Sequence, residues 1–158
     1  MRTRIAALSV LGATVAVAGA ASLQPLKVKT GLWQMTQTIQ WTGLPPQLDA
    51  AMARGRTHDY KTCVKPKDLT TNPFAGGSED KCTWTVINST GTDMEVRGNS
   101  CEMGHEFGMT SEIHGTIHVV DAENGTGSFD IVMTREGQKI TGHATYKGKW
   151  AGSSCAAE

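Results

Sequence analysis

The sequence predicts a mostly β protein, with a curved antiparallel sheet of six to seven strands that forms a partial barrel, one short helix and two disulfide bonds. Three observations predict this fold class. Apolar and polar residues alternate over most of the chain, which is typical of strands with one buried face and one solvated face. Turns that contain glycine separate the alternating segments. The 158 residues include 18 glycines and 4 cysteines.

The start of the chain has the composition of a secretory signal peptide. Arg2 and Arg4 precede an apolar run over residues 5–17, and an Ala-Gly-Ala-Ala stretch follows it. Such a run is too short to span a bilayer and has the flanks of a cleavable signal. We therefore expect residues 1–21 to be removed near Ala20 or Ala21, and the protein to be periplasmic or secreted.

Residues 22–158 have the length of one domain, and their charge is nearly balanced. The full chain has 15 basic and 15 acidic residues, and loss of Arg2 and Arg4 leaves 13 basic residues against 15 acidic ones. This balance argues against nucleic acid as a partner, because binding nucleic acid requires a strongly basic surface. No later apolar run of about 18 residues occurs, so no transmembrane segment is expected in the mature chain.

The first half of the domain begins with a clear strand over Gly31–Thr42. Its apolar residues alternate with polar ones and share one side, and they are Trp33, Met35, Ile39 and Trp41. Residues 46–54 then predict the short helix, with proline in its first turn and an apolar stripe. A second strand is expected over Thr57–Val64, followed by one helical turn that begins at Pro66.

The second half of the domain is predicted to be a series of hairpins. Each strand has an apolar face and a polar face. The expected strands cover residues 81–88, 93–101, 109–120, 128–135 and 139–150.

The register of these hairpins places histidines beside a carboxylate on the polar face. A three-residue turn at 123–125, with Gly125 in the left-handed region, keeps the apolar faces together and sets His118 opposite Asp130. A two-residue turn at 136–137 then sets Asp130 opposite His143. The predicted row of His118, Asp130 and His143 could hold zinc or copper. The alternative is an exposed polar face with scattered histidines, and we expect no cofactor.

Four cysteines allow three pairings, of which the sequence favours two specific bonds. A turn at Gly91-Thr92 sets Cys82 opposite Cys101, within disulfide range. That register also puts Trp84 opposite Asn99, which would spoil the apolar face unless a bulge occurs near Gly98. The second bond is then Cys63–Cys155.

The apolar face is rich in aromatic side chains that could line a cavity under the curved sheet. Such a cavity binds small apolar ligands through its shape and a few polar groups. The alternative is that these side chains only pack the core of a small domain. The expected ligand contacts are Trp33, Trp41, Trp84 and Trp150.

Several motifs, taken in order, resemble one known family. They are Lys29-Thr30-Gly31-Leu32-Trp33, Cys63-Val64-Lys65-Pro66-Lys67-Asp68, Lys81-Cys82-Thr83-Trp84, Cys101, and Lys147-Gly148-Lys149-Trp150 with Cys155. Together they resemble the secreted family known as domain of unknown function 3617, over nearly the whole mature chain. The resemblance implies a bacterial periplasmic or secreted protein, and it implies no activity.

The sequence does not contain a constellation typical of an enzyme. Its serines lack the context of a nucleophile elbow, and no Cys-x-x-Cys pair occurs. We therefore expect a binding module, not an enzyme, for a small apolar molecule or a component of the cell envelope. The alternative is a metal-binding protein that uses the histidine row.

Overall fold

The computed structural model describes residues 23–46, 49, 57–74, 82–102, 110–135 and 137–155. In these residues, one antiparallel sheet contains seven strands in the order β2-β1-β7-β6-β5-β4-β3. The strands are β1 (Gly31–Thr42), β2 (Thr57–Val64), β3 (Thr83–Ser89), β4 (Asp93–Glu102), β5 (Thr110–Asp121), β6 (Asn124–Arg135) and β7 (Gln138–Gly152). The sheet is open, because β2 and β3 form its two edges. The predicted fold class is confirmed.

Helical structure is limited in the described residues. A 3-10 helix covers Pro66–Thr70, where the sequence predicts a helical turn. Pro46 and Asp49 are helical, and the Asp49 N–H donates to the Pro45 carbonyl at 2.9 Å. Most of the predicted helix at 46–54 lies outside the described residues, as does the predicted signal peptide at 1–21. No helix in the described parts of the chain is both long enough and apolar enough to cross a membrane.

The curved sheet buries one of its faces, here called the inner face, and exposes the other, here called the outer face. Alternation along each strand sends every second side chain inward, as the sequence predicts. On β1, for example, Trp33 and Met35 are fully buried and Gln34 between them is exposed. The other strands add to the core Val64, Met94, Val96, Cys101, Ile113, Ile117, Val119, Phe129, Ile131, Met133, Ile140 and Ala144.

Large inner-face side chains lie over glycines on the neighbouring strands. Trp41 pairs with Gly142 across β1 and β7, and Phe129 pairs with Gly115 across β5 and β6. A Cβ at Gly115 would lie 2.1 Å from Cδ1 of Phe129, which shows that the ring occupies the space above the glycine. Glycine in a strand allows such a close approach and a strong local bend. These pairs let the sheet curve around its core.

One end of the curved sheet is closed by the segment that precedes β1. Leu26 N–H donates to the Leu69 carbonyl at 2.9 Å, and Lys27 N–H donates to the Gly91 carbonyl at 2.8 Å. Between these backbone bonds the side chains of Leu26 and Val28 point into the core, where they are 2% and 7% exposed. The segment 23–30 therefore seals the end at which β1 begins.

The turn between β5 and β6 differs from the predicted one. Asp121 pairs with Asn124 around a two-residue turn, and Val119 pairs with Gly125, which leaves Val120 as a bulge. Gly125 is not among the glycines with positive φ. The two turn residues and the bulged residue add up to three, an odd number, so the apolar side chains of β5 and β6 still share one face. The residue of β5 that pairs with Asp130 nevertheless lies four positions from the predicted one, because His114 and not His118 is its partner.

Both predicted disulfides are confirmed. Cys63–Cys155 joins Cα atoms 5.4 Å apart, and Cys82–Cys101 joins Cα atoms 4.1 Å apart. The bulge predicted near Gly98 is confirmed, because the register of β4 against β5 shifts between Gly98 and Cys101. Trp84 pairs with Gly98 and not with Asn99.

A second bulge, on β3, gives Trp84 this partner. The register of β3 against β4 shifts between Val86 and Asn88, so this bulge lies near Ile87. Ile87 is 44% exposed, while Val86 remains partly buried against the core and pairs with Val96. The bulge therefore keeps the apolar residues of β3 on the inner face.

Candidate functional site

The predicted ligand contacts separate into two pairs at opposite ends of the inner face. Trp33 lies near the sealed end and is fully buried. Its Nε1–H donates to the Lys29 carbonyl at 2.9 Å, and its ring lies 5.4 Å from that of Phe74. Trp150 also lies at this end, where its Nε1–H donates to the Thr30 carbonyl at 3.0 Å. The Lys29 ammonium lies 4.4 Å from the centroid of the Trp150 ring. Both tryptophans therefore belong to the packing of the sealed end.

Trp41 and Trp84 lie at the other end of the inner face and, like Trp150, are partly buried. Trp41 is next to the last residue of β1, and Trp84 is the second residue of β3. Each packs against the core, Trp41 over Gly142 and Trp84 over Gly98. Their partly exposed rings border the end of the inner face opposite segment 23–30, here called the open end because, among the residues that the structure describes, this segment covers only the other end. Of the four tryptophans predicted to contact a ligand, Trp41 and Trp84 therefore lie away from the sealed end.

Two tyrosines bring hydroxyl groups onto this largely apolar face. The Tyr60 hydroxyl donates to the Phe74 carbonyl at 3.3 Å, and Tyr146 lies edge-on to Phe129 at 5.0 Å. Burial raises the pKa of Tyr60 well above its ordinary value, and the neighbouring Tyr146 raises it further. The sequence analysis missed Tyr60, although its spacing from Val64 on β2 places both residues on the inner face.

The outer face carries three pairs of a histidine and a carboxylate. His118 Nδ1 lies 2.7 Å from Asp93 Oδ1, and His143 Nδ1 lies 2.7 Å from Asp130 Oδ1. The third pair joins His114 Nε2 to Glu95 Oε1 at 2.8 Å. All three pairs are largely exposed. Hydrogen bonds from His118 and Thr92 hold the pKa of the Asp93 carboxyl below its ordinary value.

The predicted row of His118, Asp130 and His143 is only half correct. Asp130 does pair with His143, but His118 pairs with Thr126, because the bulge at Val120 shifts the register of β5. Within the described part of the chain, no three side chains of metal-ligating type come close enough to hold an ion. The three predicted residues do not converge on one point.

His114 takes the place that the sequence analysis gave to His118. It lies directly opposite Asp130 on β5, in the position predicted for His118. Its imidazole contacts Glu95 on β4, on the other side of β5. The correct register could have been predicted only if the sequence had located the bulge at Val120. This residue is an exposed valine next to the turn.

The chain matches the model of a known family. The model of a family described as "Protein of unknown function (DUF3617)" matches residues 28–155. The matched range includes all seven strands and all four cysteines. Neither the curated proteins nor the solved structures that were compared with the chain gave a match.

Proposed function

The chain belongs to the family DUF3617, as its sequence motifs imply, and this family is described as one of unknown function. We therefore propose a function from the geometry of the inner face. The protein is a binding module that takes a small apolar molecule, such as a component of the cell envelope, at the open end of this face. Trp41 and Trp84 contact the ligand. Binding, and not a reaction, is the role of this face.

The position of the partly exposed aromatic rings is the observation that carries this proposal. Small-molecule sites are usually concave and lined with apolar and aromatic side chains, with a few polar groups that orient the ligand. Trp41 and Trp84 supply the rings at the open end, and the hydroxyl of Tyr60 lies on the same face and donates to the Phe74 carbonyl. The opposite end is closed by segment 23–30, so a ligand enters beside Trp41 and Trp84.

The place of action that we propose is an oxidising compartment outside the cytosol. Two disulfides join all four cysteines, and such bonds persist in the periplasm and in secreted proteins. The composition of residues 1–21 supports export to such a compartment. A protein in such a compartment has access to apolar components of the cell envelope, and an apolar ligand fits the chemistry of the inner face.

A titration with an apolar fluorescent dye tests this proposal. We expect N-phenyl-1-naphthylamine to bind saturably to the disulfide-bonded protein, with increased dye fluorescence and a raised Tm, because a ligand that binds only the folded state stabilises it. Trp41→Ala and Trp84→Ala should each weaken dye binding. Trp150→Phe is the matched control and should bind the dye like the wild type, because Trp150 lies at the sealed end.

Two results would contradict the proposal. One is the absence of saturable dye binding in a folded wild-type protein. The other is that Trp150→Phe weakens dye binding as much as Trp41→Ala and Trp84→Ala do, since the dye would then not be located at the open end. A Tm measured for each variant without dye separates loss of binding from loss of folding.

Metal binding, the alternative from the sequence, has less support. Each of the three imidazoles already contacts a carboxylate on a neighbouring strand, and His118 lies away from Asp130. We therefore base the proposed function on the inner face alone.

A further inference from the structure

Three side chains on the outer face are arranged as a nucleophile, a base and an orienting carboxylate. Ser128 and Asp130 lie two residues apart on β6 and so share a face, and His143 lies opposite Asp130 on β7. His143 Nδ1 is 2.7 Å from Asp130 Oδ1, and His143 Nε2 is 3.4 Å from Ser128 Oγ. The two imidazole nitrogens thus contact a carboxylate and a hydroxyl, which is the order found in serine nucleophile sites.

The carboxylate determines which nitrogen of His143 can act as a base. Asp130 accepts a hydrogen bond from Nδ1–H, which leaves the Nε2 lone pair directed towards the Ser128 hydroxyl. The distance of 3.4 Å between Nε2 and Oγ is long for a hydrogen bond. Contacts of this kind are often loose before substrate binds and tighten in the complex.

A depression in the outer face lies beside this arrangement. Asp130 and His143 line it together with Gln40, Val132 and Thr141, and its volume is ≈ 320 Å³. Val132 gives this depression an apolar patch.

Two polar side chains flank the serine and the imidazole. Gln40 lies directly opposite His143, and Thr145 lies directly opposite Ser128. An amide and a hydroxyl group can each donate a hydrogen bond, and such donors stabilise the carbonyl oxygen that becomes negative during attack.

We propose that Ser128, His143 and Asp130 form a site that hydrolyses esters of small carboxylic acids. Ser128 Oγ forms a bond to the carbonyl carbon while His143 Nε2 takes its proton. The bond to the alcohol oxygen then breaks, and this oxygen receives the proton from His143. Water then attacks the acyl carbon while His143 Nε2 takes its proton. The bond between this carbon and Ser128 Oγ breaks, Oγ receives the proton from His143, and the carboxylic acid leaves. The site is on the opposite face of the sheet from the proposed ligand site and does not depend on it.

Hydrolysis of 4-nitrophenyl acetate by the disulfide-bonded chain is the first test. We expect saturable release of nitrophenolate, and a fall in kcat/KM of about a hundredfold or more in Ser128→Ala and His143→Ala, which is the usual size of a general-base contribution. His118→Ala is the matched control, because His118 makes the same contact with a carboxylate and lies outside the arrangement. It should keep the wild-type rate. A Ser128→Ala variant that hydrolyses the ester at the wild-type rate would overturn the proposal.

Covalent labelling supplies a second measurement. Phenylmethylsulfonyl fluoride should modify Ser128 in the wild type and in His118→Ala, but not in His143→Ala, as read by peptide mass mapping. For Asp130→Asn we expect a lower kcat with little change in KM, because Asp130 positions the base. Asp130 and His143 are 71% and 50% exposed, so these variants keep the packing of the core. The absence of label from Ser128 in folded wild-type protein would also overturn the proposal.

Discussion

Trp41 lies so close over Gly142 that a Cβ at this glycine would be 2.6 Å from Cζ3 of the indole. The two residues are cross-strand partners on β1 and β7. The same relationship joins Phe129 to Gly115 and Trp84 to Gly98. Each glycine leaves space that a ring from the next strand fills, so the residues that let the sheet bend also line its inner face.

A methyl group at Gly115 should destabilise the fold. Its Cβ would lie 2.1 Å from Cδ1 of Phe129, so the ring or the backbone would have to move. We expect Gly115→Ala to lower the free energy of unfolding by about 1–3 kcal/mol, the usual cost of overpacking a core. Gly152→Ala is the control, because nothing lies within 4 Å of its Cβ position. Urea unfolding measures both, and equal stabilities of the two variants would contradict the close packing.

Segment 23–30 should contribute strongly to stability through Leu26. This side chain is 2% exposed, whereas Leu23, three residues earlier, is 52% exposed. We expect Leu26→Ala to cost about 2–5 kcal/mol, as for other buried leucines, because it leaves a cavity in the core. Leu23→Ala should change the free energy of unfolding by less than about 0.5 kcal/mol. A Leu26→Ala variant as stable as Leu23→Ala would show that the segment does not seal the sheet.

The two disulfides should differ in their access to reductant. Cys155 is exposed and Cys63 is partly exposed, whereas Cys101 is fully buried. We expect a low concentration of reductant followed by alkylation to label Cys63 and Cys155 first, since exchange requires access to a sulfur atom. Peptide mass mapping at increasing reductant concentration gives the order. Labelling of Cys101 before Cys155 would contradict the arrangement.

The carboxyl of Asp121 should titrate below the ordinary aspartate value of about 3.9. Hydrogen bonds from the Glu123 backbone N–H at 2.7 Å and from the Asn124 side-chain amide lower the pKa of this carboxyl. Because its pKa is lower in the folded state, the stabilisation is complete above the unfolded value and is lost as pH falls through the folded value. Carboxyl ¹³C chemical shifts measured against pH give the midpoint. A midpoint at or above 3.9 would contradict the turn geometry.

Much of the fold could be predicted from the sequence because the alternation on each strand is regular. The bounds predicted for β1 and β2 match the structure, and both disulfides were predicted correctly. These features depend on the period of two and on local turns, which the sequence expresses directly.

The register between strands was harder to predict where a bulge occurs. The bulge at Val120 moved His114, and not His118, opposite Asp130. The bulge near Ile87 gave Trp84 a glycine as its partner. A bulge inserts one residue without changing the apolar pattern that surrounds it, so alternation alone does not locate it.

The candidate site could be predicted only in part for a related reason. Alternation placed all four tryptophans on the inner face, but it did not show which end of the sheet is closed. Segment 23–30 closes one end through backbone hydrogen bonds, and so separates Trp33 and Trp150 from Trp41 and Trp84. Contacts of this kind join residues far apart in the chain and leave no periodic signal.

The most direct test of apolar binding at the open end is a titration with N-phenyl-1-naphthylamine followed through the indole N–H resonances of the 4 tryptophans in a ¹H–¹⁵N spectrum. We expect the resonances of Trp41 and Trp84 to shift saturably, and those of Trp33 and Trp150, which donate to backbone carbonyls at the sealed end, to stay in place. Unshifted Trp41 and Trp84 resonances at a saturating dye concentration, or shifts confined to Trp33 and Trp150, would contradict this site.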